Sequence, residues 1–501
     1  MHRHYSLTAG ARPRELGSGR VTVRVGVRAI RIDGSETLWA VTKALATGPY
    51  TMTDLVDAAQ CSPTEVAEAI EGLDRLGLVV HTVQAGHRRL LTVEPMTPHP
   101  TALPRRRPFL LGSVVLSRFA VIHREEATLI IESPLSNFRA RLDDPEAAGL
   151  LVRLAAGVED STSEEPGAQL LGAASVGSLC AETVRAYLEV LVHAGLAITD
   201  GDETDPRATA WENCSPEAAG WSVHDLLFHA RSRPGAHDRP VGGNYPLQGR
   251  FSSLPVTPAP RGSRLPLPDV DIDRIASQDP PFTVVLGRRR STRWHGEAPI
   301  TIEALGEFLF RTARMIEFIP RDPGAGIRYD ASRRPYPSAG GAYELELYPI
   351  VSRCDGLAAG VYHYVADAHA LEQLEPFNRR AGGLVRDAAD ATELDGEPQV
   401  LLVVTSRIAR VAWKYSGMAY ATTLKNVGVL YQTMYLVAAA MNLAACAVGT
   451  GNSMRVASTL GCSHLEEPSV GEFLLGTSGC ASGKPGATAK SLQQSTHQAI
   501  R

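Results

Sequence analysis

The sequence has little that would tie it to a special environment. Its seven cysteines, at 61, 180, 214, 354, 446, 462 and 480, form no CxxC pair. That pattern excludes a zinc ribbon, and an odd, scattered set is no disulfide framework; reduced thiols in a cytoplasmic protein fit it. Neither sign of charge dominates: 50 Lys and Arg against 54 Asp and Glu leave a net charge of −4. So balanced a chain has no electrostatic reason to bind nucleic acid or an anionic membrane. No apolar run follows the basic stretch MHRHYSLTAGARPREL, so no signal peptide is read there. No GxGxxG follows a strand, which removes the dinucleotide fingerprint. Aromatic residues are only 6%, yet hydrophobic residues reach 44% and charged residues 21% of the 501. That is the balance of a globular protein with material for several cores. A single long apolar stretch exists, Val427–Gly449, VGVLYQTMYLVAAAMNLAACAVG. Its length suits a bilayer, but Gln432, Thr433 and Asn442 lower its hydrophobicity, and it reads as a buried helix.

Periodicity gives the organisation. Val21–Ile32 alternates as strands do. Three short helical patterns follow. The third opens Ser62-Pro63-Thr64-Glu65: a capping serine, a proline suited to the first helical position, and a glutamate able to reach back to the cap. Val66, Ile70, Leu73 and Leu76 recur at helical spacing, Gly77 ends the run, and Leu78-Val79-Val80 reads as a strand. Three helices and a short β-wing predict a winged-helix-like module over 1–95. A diverged copy is expected over 105–235, because Asp143-Asp144-Pro145-Glu146 opens a helix and His193–Ile198 echoes Arg75–Val80. Prolines at 255, 258, 260, 266 and 268 follow no hydrophobic period and mark 236–279 as a Pro/Gly-rich linker. Over 280–480 strands and helices mix. Ile302–Met315 reads as a helix, Tyr343–Val351 as an alternating strand and Pro398–Thr405 as a buried central strand. The helix from Leu424 to Leu443 is apolar on all sides and belongs inside a core or a dimer interface. This is an α+β domain. Residues 481–501 read as a disordered tail.

Four segments of this last domain carry candidate chemistry. Arg288-Arg289-Arg290-Ser291-Thr292-Arg293 is the densest cationic cluster. Guanidinium groups bind phosphate bidentately, although a solvated basic turn is the plainer reading of such a cluster alone. Arg334–Glu344, RPYPSAGGAYE, is either a rigid turn feeding a strand or a small-residue loop against which a flat ring can pack. In Trp413-Lys414-Tyr415 the lysine and tyrosine are candidate proton-handling groups. Burial would lower the lysine and a neighbouring cation the tyrosine. Mid-helix they would diverge by about 100°, so a helix end suits a shared substrate better. Alone, the segment equally reads as an aromatic core edge with a snorkelling lysine. Gly449-Thr450-Gly451-Asn452 follows the apolar helix; it is a helix stop or a backbone cradle for an anion.

The four segments occur together and in order, and with RPYPSAGGAYELELY, WKYSGMAYATTLKNVGVLYQTMYLVAAAM and EEPSVGEFLLG they resemble one family. The resemblance, close over 280–480, is to nitroreductase-like flavoproteins and specifically to SagB-type dehydrogenases, the FMN-dependent azoline oxidases of thiazole/oxazole-modified peptide pathways. The front half is similar to that of longer, cyanobactin-oxidase-like members. The fold implied is a C-terminal nitroreductase-like FMN domain preceded by two winged-helix-like, peptide-clamp-like modules. By the same resemblance Arg289, Arg290, Ser291 and Arg293 match residues that bind the phosphate end of FMN. Pro337, Ser338, Gly340 and Gly341 match the loop beside its ring system, and Gly449, Gly451 and Asn452 the turn near the phosphate. Lys414 and Tyr415 match the catalytic pair. Val429 departs from the pattern, standing after Gly428 where some members have histidine.

The activity implied is oxidation of thiazoline or oxazoline rings in a ribosomal peptide to thiazole or oxazole, with oxygen as final acceptor. The implied partners are the precursor peptide, through leader and core, a cyclodehydratase, and a second copy of the chain. The helix PTEVAEAIEGLDRLG is acidic, which turns the front module away from DNA and towards a peptide added as a strand. Two alternatives stay open: an NAD(P)H-dependent nitro- or quinone reductase on the same scaffold, and a non-catalytic scaffold subunit of a peptide-cyclising complex.

Overall fold

Alternation sets the central sheet. In the strand Leu345–Val351, Leu345, Leu347 and Val351 face one core while Tyr348 and Ile350 face another. The strand Val400–Ser406 does the same, with Val400, Leu402 and Val404 on the first side and Leu401 and Val403 on the second. Both strands are buried along their whole length, as strands covered on both faces are. They sit in the middle of a seven-stranded, wholly antiparallel sheet. Its order is Arg264–Pro266, Ala370–Pro376, Gly360–Val365, Leu345–Val351, Val400–Ser406, Ser469–Thr477, Leu443–Val448. The helices Ile302–Ala313 and Ala419–Ala440 pack on the first face, and Arg379–Thr392 and Ser453–Leu460 on the second.

This computed structural model describes residues 3–16, 20–26, 28–97, 114–155, 179–199, 209–394 and 396–479. The expected tail at 481–501 lies outside the described residues. The chain divides into two units, Met1–Val241 and Gly242–Arg501. The C-terminal unit is the mixed helix-and-sheet fold that the sequence implied. The stretch 236–279 straddles the division. Arg264–Pro266 is an edge strand of the large sheet and Ile272–Gln278 is a helix. The segment before them is held against the site described below.

In the first unit a three-stranded sheet, Arg12–Glu15, Arg20–Val25 and Arg28–Asp33, precedes the helices Glu36–Leu45, Met52–Ala59 and Pro63–Arg75. The capping box forms: Ser62 N–H donates to Glu65 Oε2 at 2.9 Å and Ser62 Oγ accepts from Glu65 N–H at 3.3 Å. The hairpin Val79–Ala85/Arg88–Pro95 follows. It continues, antiparallel throughout, into Phe138–Leu142, Thr128–Glu132 and Val121–Glu125. The 13-residue helix Pro63–Arg75, with a strand starting at Val79, recurs as the 13-residue helix Ala181–His193 and a strand starting at Ala197.

Candidate active site

Local geometry removes the angular objection to Lys414 and Tyr415. The helix Ile408–Lys414 ends at the lysine, and Tyr415 is already extended, with φ −112° and ψ 125°. The two side chains therefore meet: Lys414 Nζ lies 5.3 Å from the centroid of the Tyr415 ring and 5.4 Å from that of Tyr329. Lys414 Nζ donates to Tyr329 Oη at 3.2 Å, and Tyr329 Oη donates to the carbonyl of Gly340 at 2.5 Å. Gly340 has φ 63°. A Cβ built there would overlap Lys414 Nζ and lie 2.7 Å from Tyr329 Oη and 3.0 Å from Tyr415 Oη. Glycine is required both by the backbone angle and by the three groups converging on it.

The charge state differs from the expectation. Burial does pull the Lys414 amine down, but the hydrogen bond to Tyr329 and the phenols of Tyr329, Tyr415 and Tyr245 outweigh it, and the net shift is upward. Lys414 is an ammonium donor at neutral pH. Burial pushes Tyr329 up, against the pull of Lys414, so that hydroxyl keeps its proton for Gly340.

Two supports hold this group; the sequence signalled the loop but not the segment that precedes it. One is the segment 242–256. Gly242 bridges to Ser416, Tyr245 N–H donates to the Lys414 carbonyl at 2.9 Å, and Trp413 Nε1 donates to the Phe251 carbonyl at 2.8 Å. Arg410 donates to the carbonyl of Leu254, and Arg407 to that of Val256. The other is the loop beneath. Ser338 Oγ accepts from Tyr343 N–H at 3.1 Å and from Asn426 Nδ2 at 3.2 Å. Asn426 also donates to the fully buried Glu344 at 2.8 Å. Gly341 has φ 67°, and Pro337 is exposed at the loop's entrance.

At a second place the arginine-rich segment meets the strand that leads into the glycine-rich one. Ser291 Oγ is 2.8 Å from Tyr435 Oη, which also accepts from Ala447 N–H at 2.7 Å. Thr292 N–H donates to the Ala445 carbonyl at 2.8 Å, and the Arg289 guanidinium lies 5.4 Å from the Tyr435 ring centroid. The strand Leu443–Val448 then runs directly into Gly449–Asn452. Among the described residues Arg289, Arg290 and Arg293 have no carboxylate partner. At Gly451 a Cβ would lie 2.9 Å from Glu472 Oε1. Glu472 is 3% exposed, and burial followed by the charge of Asp387 raises its pKa to about 7. A carboxyl with its pKa raised that far carries less negative charge at neutral pH and repels an anion less. Asn452 caps the next helix, its Oδ1 accepting from Arg455 N–H at 3.0 Å, which leaves its Nδ2 and its backbone for a ligand. Nothing crowds Gly449.

The two places share the helix Ala419–Ala440, which carries Asn426 beside the Gly340 loop and Tyr435 beside Ser291. At 1.5 Å per residue they are about 13 Å apart along it. Tyr435 and Tyr329 are the functional-site residues that sequence reasoning missed, since an isolated tyrosine in a helix or loop carries no local signal.

Residues 286–476 match the nitroreductase family, and residues 114–238 match the family described as cyanobactin oxidase ThcOx. A protein of Methanocaldococcus jannaschii named as a nitroreductase, MJ1384, is 26% identical over 179 residues, 36% of this chain and 81% of that protein. The microcin B17-processing protein McbC of Escherichia coli is 31% identical over 125 residues, 24% of this chain and 43% of McbC. The chain thus spans less than half of McbC. The Escherichia coli microcin synthetase McbBCD complex, solved with truncated pro-MccB17 bound, contains a chain with a TM-score of 0.34 or less, namely 0.33, at 20% identity, over 52% of this chain and 93% of that one. A nitroreductase match and a cyanobactin-oxidase match in one chain bear out the resemblance to the long SagB-type form.

Proposed function

We propose that this SagB-type, nitroreductase-like oxidoreductase uses FMN to dehydrogenate thiazoline or oxazoline rings in a ribosomal peptide. The observation that carries the reading is the convergence of Lys414, Tyr415 and Tyr329 on Gly340. Tyr415 is the proton acceptor for the ring α-carbon, because Lys414 is already protonated and can only donate. Tyr415 accepts as its phenolate, whose negative charge the adjacent Lys414 ammonium stabilises before the transfer. Tyr329, locked to the Gly340 carbonyl, fixes the ammonium. FMN, when bound, supplies the two-electron acceptor for the accompanying hydride, and dioxygen reoxidises it.

The residues fit that group. Three guanidiniums without carboxylate partners, with Ser291 and the backbone of Gly449, Gly451 and Asn452, match a phosphate dianion. Pro337, Ser338, Gly340 and Gly341 keep the loop small beside the Lys414, Tyr329 and Tyr415 side chains that converge on Gly340, and a planar ring would rest against its remaining backbone. The first unit docks the leader of the precursor or the cyclodehydratase that forms the rings. The match over 114–238 and the acidic helix Pro63–Arg75 support a peptide partner there.

The test is a candidate azoline peptide incubated with purified yellow protein and followed by mass spectrometry. Loss of two hydrogens per ring is expected. Tyr415→Phe and Lys414→Ala should keep the flavin absorbance and lower turnover by 10²-fold or more, on the order of general-base catalysis. Full activity in both variants, or rapid bleaching by NADPH with no peptide oxidation, would overturn the reading; the latter identifies a nitro- or quinone reductase. A colourless protein would identify a scaffold subunit.

A further inference from the structure

Beside Trp413 lies a cavity of about 930 Å³ that opens to solvent. Its walls are the segment Gln248–Ser253 and residues 321–330. One wall belongs to the segment 242–256 that supports Lys414, and the other runs up to either side of Tyr329. Three arginines line it, Arg250, Arg321 and Arg328, against the single carboxylate of Asp330. None of the three guanidiniums pairs with a carboxylate among the described residues. Asp330 is occupied elsewhere: its Oδ1 accepts from the Arg321 backbone N–H at 2.8 Å. Arg328 is held in place, donating to Gln248 Oε1 at 3.1 Å and stacking 4.4 Å from the Tyr245 ring centroid. The groove therefore carries excess positive charge on a fixed frame.

Its connection to the reaction centre is short. Trp413 forms part of its wall and is the residue next to Lys414. The Trp413 ring lies 5.6 Å from Tyr245 and 5.8 Å from Tyr329, the tyrosine that receives the Lys414 hydrogen bond. A peptide with its ring at Tyr415 has flanking residues within reach of this groove.

We propose that the groove binds carboxylates of the peptide substrate in the stretch flanking the ring being oxidised, so that the enzyme selects acidic flanks. The proposal rests on Lys414 and Tyr415 being the reaction centre. Planar carboxylates pair in bidentate fashion with guanidinium. The carboxylate has two sources, an Asp or Glu side chain or the C-terminus of the peptide.

The experiment measures binding rather than turnover. Dye-labelled azoline peptides with Glu or Lys flanks, each as C-terminal acid and as amide, are titrated with the full flavin-loaded chain by fluorescence anisotropy. The Glu-flanked peptides should bind on the order of tenfold more tightly than the Lys-flanked ones, as two exposed ion pairs would give. Added salt should shrink that preference. Arg250→Glu with Arg321→Glu should reverse it, and Arg250→Gln with Arg321→Gln, which adds no new charge, should abolish it. A preference that follows the terminal acid rather than Glu assigns the terminus as the ligand. Equal affinities for all four peptides, or a preference unchanged in both double variants, overturns the proposal. Acid-selective binding without any loss of hydrogen would instead overturn the reaction and keep the groove.

Discussion

At Gly340 a single hydrogen in place of a side chain admits three others. Alanine there would meet Lys414 Nζ, Tyr329 Oη and Tyr415 Oη at once, on a backbone with φ 63°. The left-handed angle alone costs about 1–2 kcal/mol for a residue with a Cβ. The larger effect is geometric, because Lys414 has to withdraw from Tyr329. Gly340→Ala is expected to fold and to lower kcat by tenfold or more, read by steady-state kinetics with flavin content as the control. Unaltered turnover would show that the position of Lys414 does not matter. The sequence made Gly340 and Lys414 visible separately, through a glycine pair and a titratable pair. It could not show their contact, which depends on Tyr329 closing the space between segments some 75 residues apart. The same contact reversed the expected direction of the lysine shift: burial is legible in an apolar sequence context, but three phenols gathered around one amine are not.

The long helix was legible as an element, and the structure gives its uniform apolarity a cause. Within Ala419–Ala440, Thr422, Asn426, Val427, Leu430, Met434 and Ala438 enter the core. Away from the core Leu424 and Val429 are 41% and 37% exposed in the single chain, beside the exposed Lys425 and Gln432. We propose that this exposed stretch, of mixed apolar and polar residues, is covered by a second copy of the chain. Leu424→Glu combined with Val429→Glu would bury two unpaired charges there, at a cost of several kcal/mol. The variant is expected to sediment as a monomer where the parent sediments as a dimer. A monomeric parent, or a dimeric variant, would count against the assignment. The segment 242–256 was illegible for the opposite reason. It has no period because its own bonds are isolated turns and it is tied instead to Trp413, Lys414, Arg407 and Arg410, so composition alone made it look like a tether.

At the scale of whole units, the first one is joined across its internal repeat by two buried polar groups and a half-buried one. His81, on the strand Val79–Ala85, is 2.8 Å from Asp74 Oδ1, and His193, at the end of the repeated helix, is 3.5 Å from Asp74 Oδ2. Their ligand atoms lie within 4.8 Å of one another, close enough for a metal ion. Arg3 argues against one. Its guanidinium lies 2.9 Å from His81 Nδ1 and has only hydrogens to give. Nδ1 therefore accepts, Nε2 keeps its proton for Asp74, and no lone pair on that nitrogen is left for a cation. The trio is better read as a pH-sensitive joint. Burial lowers the His81 pKa to about 4, with Arg3 adding to the fall and Asp74 opposing it. Asp74 is held well below the usual carboxylate range; burial opposes this, but the charges and hydrogen bonds of His81 and His193 outweigh it. In the unfolded chain histidine titrates near 6.5. Between that value and about 4 the unfolded state takes up a proton that folded His81 refuses, so stability is full above pH 6.5 and falls as the pH drops through this window. For a unit of this size each kcal/mol moves Tm by about 2–4 °C. Calorimetry of the full chain is expected to show the transition that does not release flavin falling by several degrees between pH 7 and pH 4.5. His81→Gln keeps an N–H for Asp74 but cannot titrate, so its slope over the same window should be flatter. An equal slope in parent and variant would mean that some other group senses the acid.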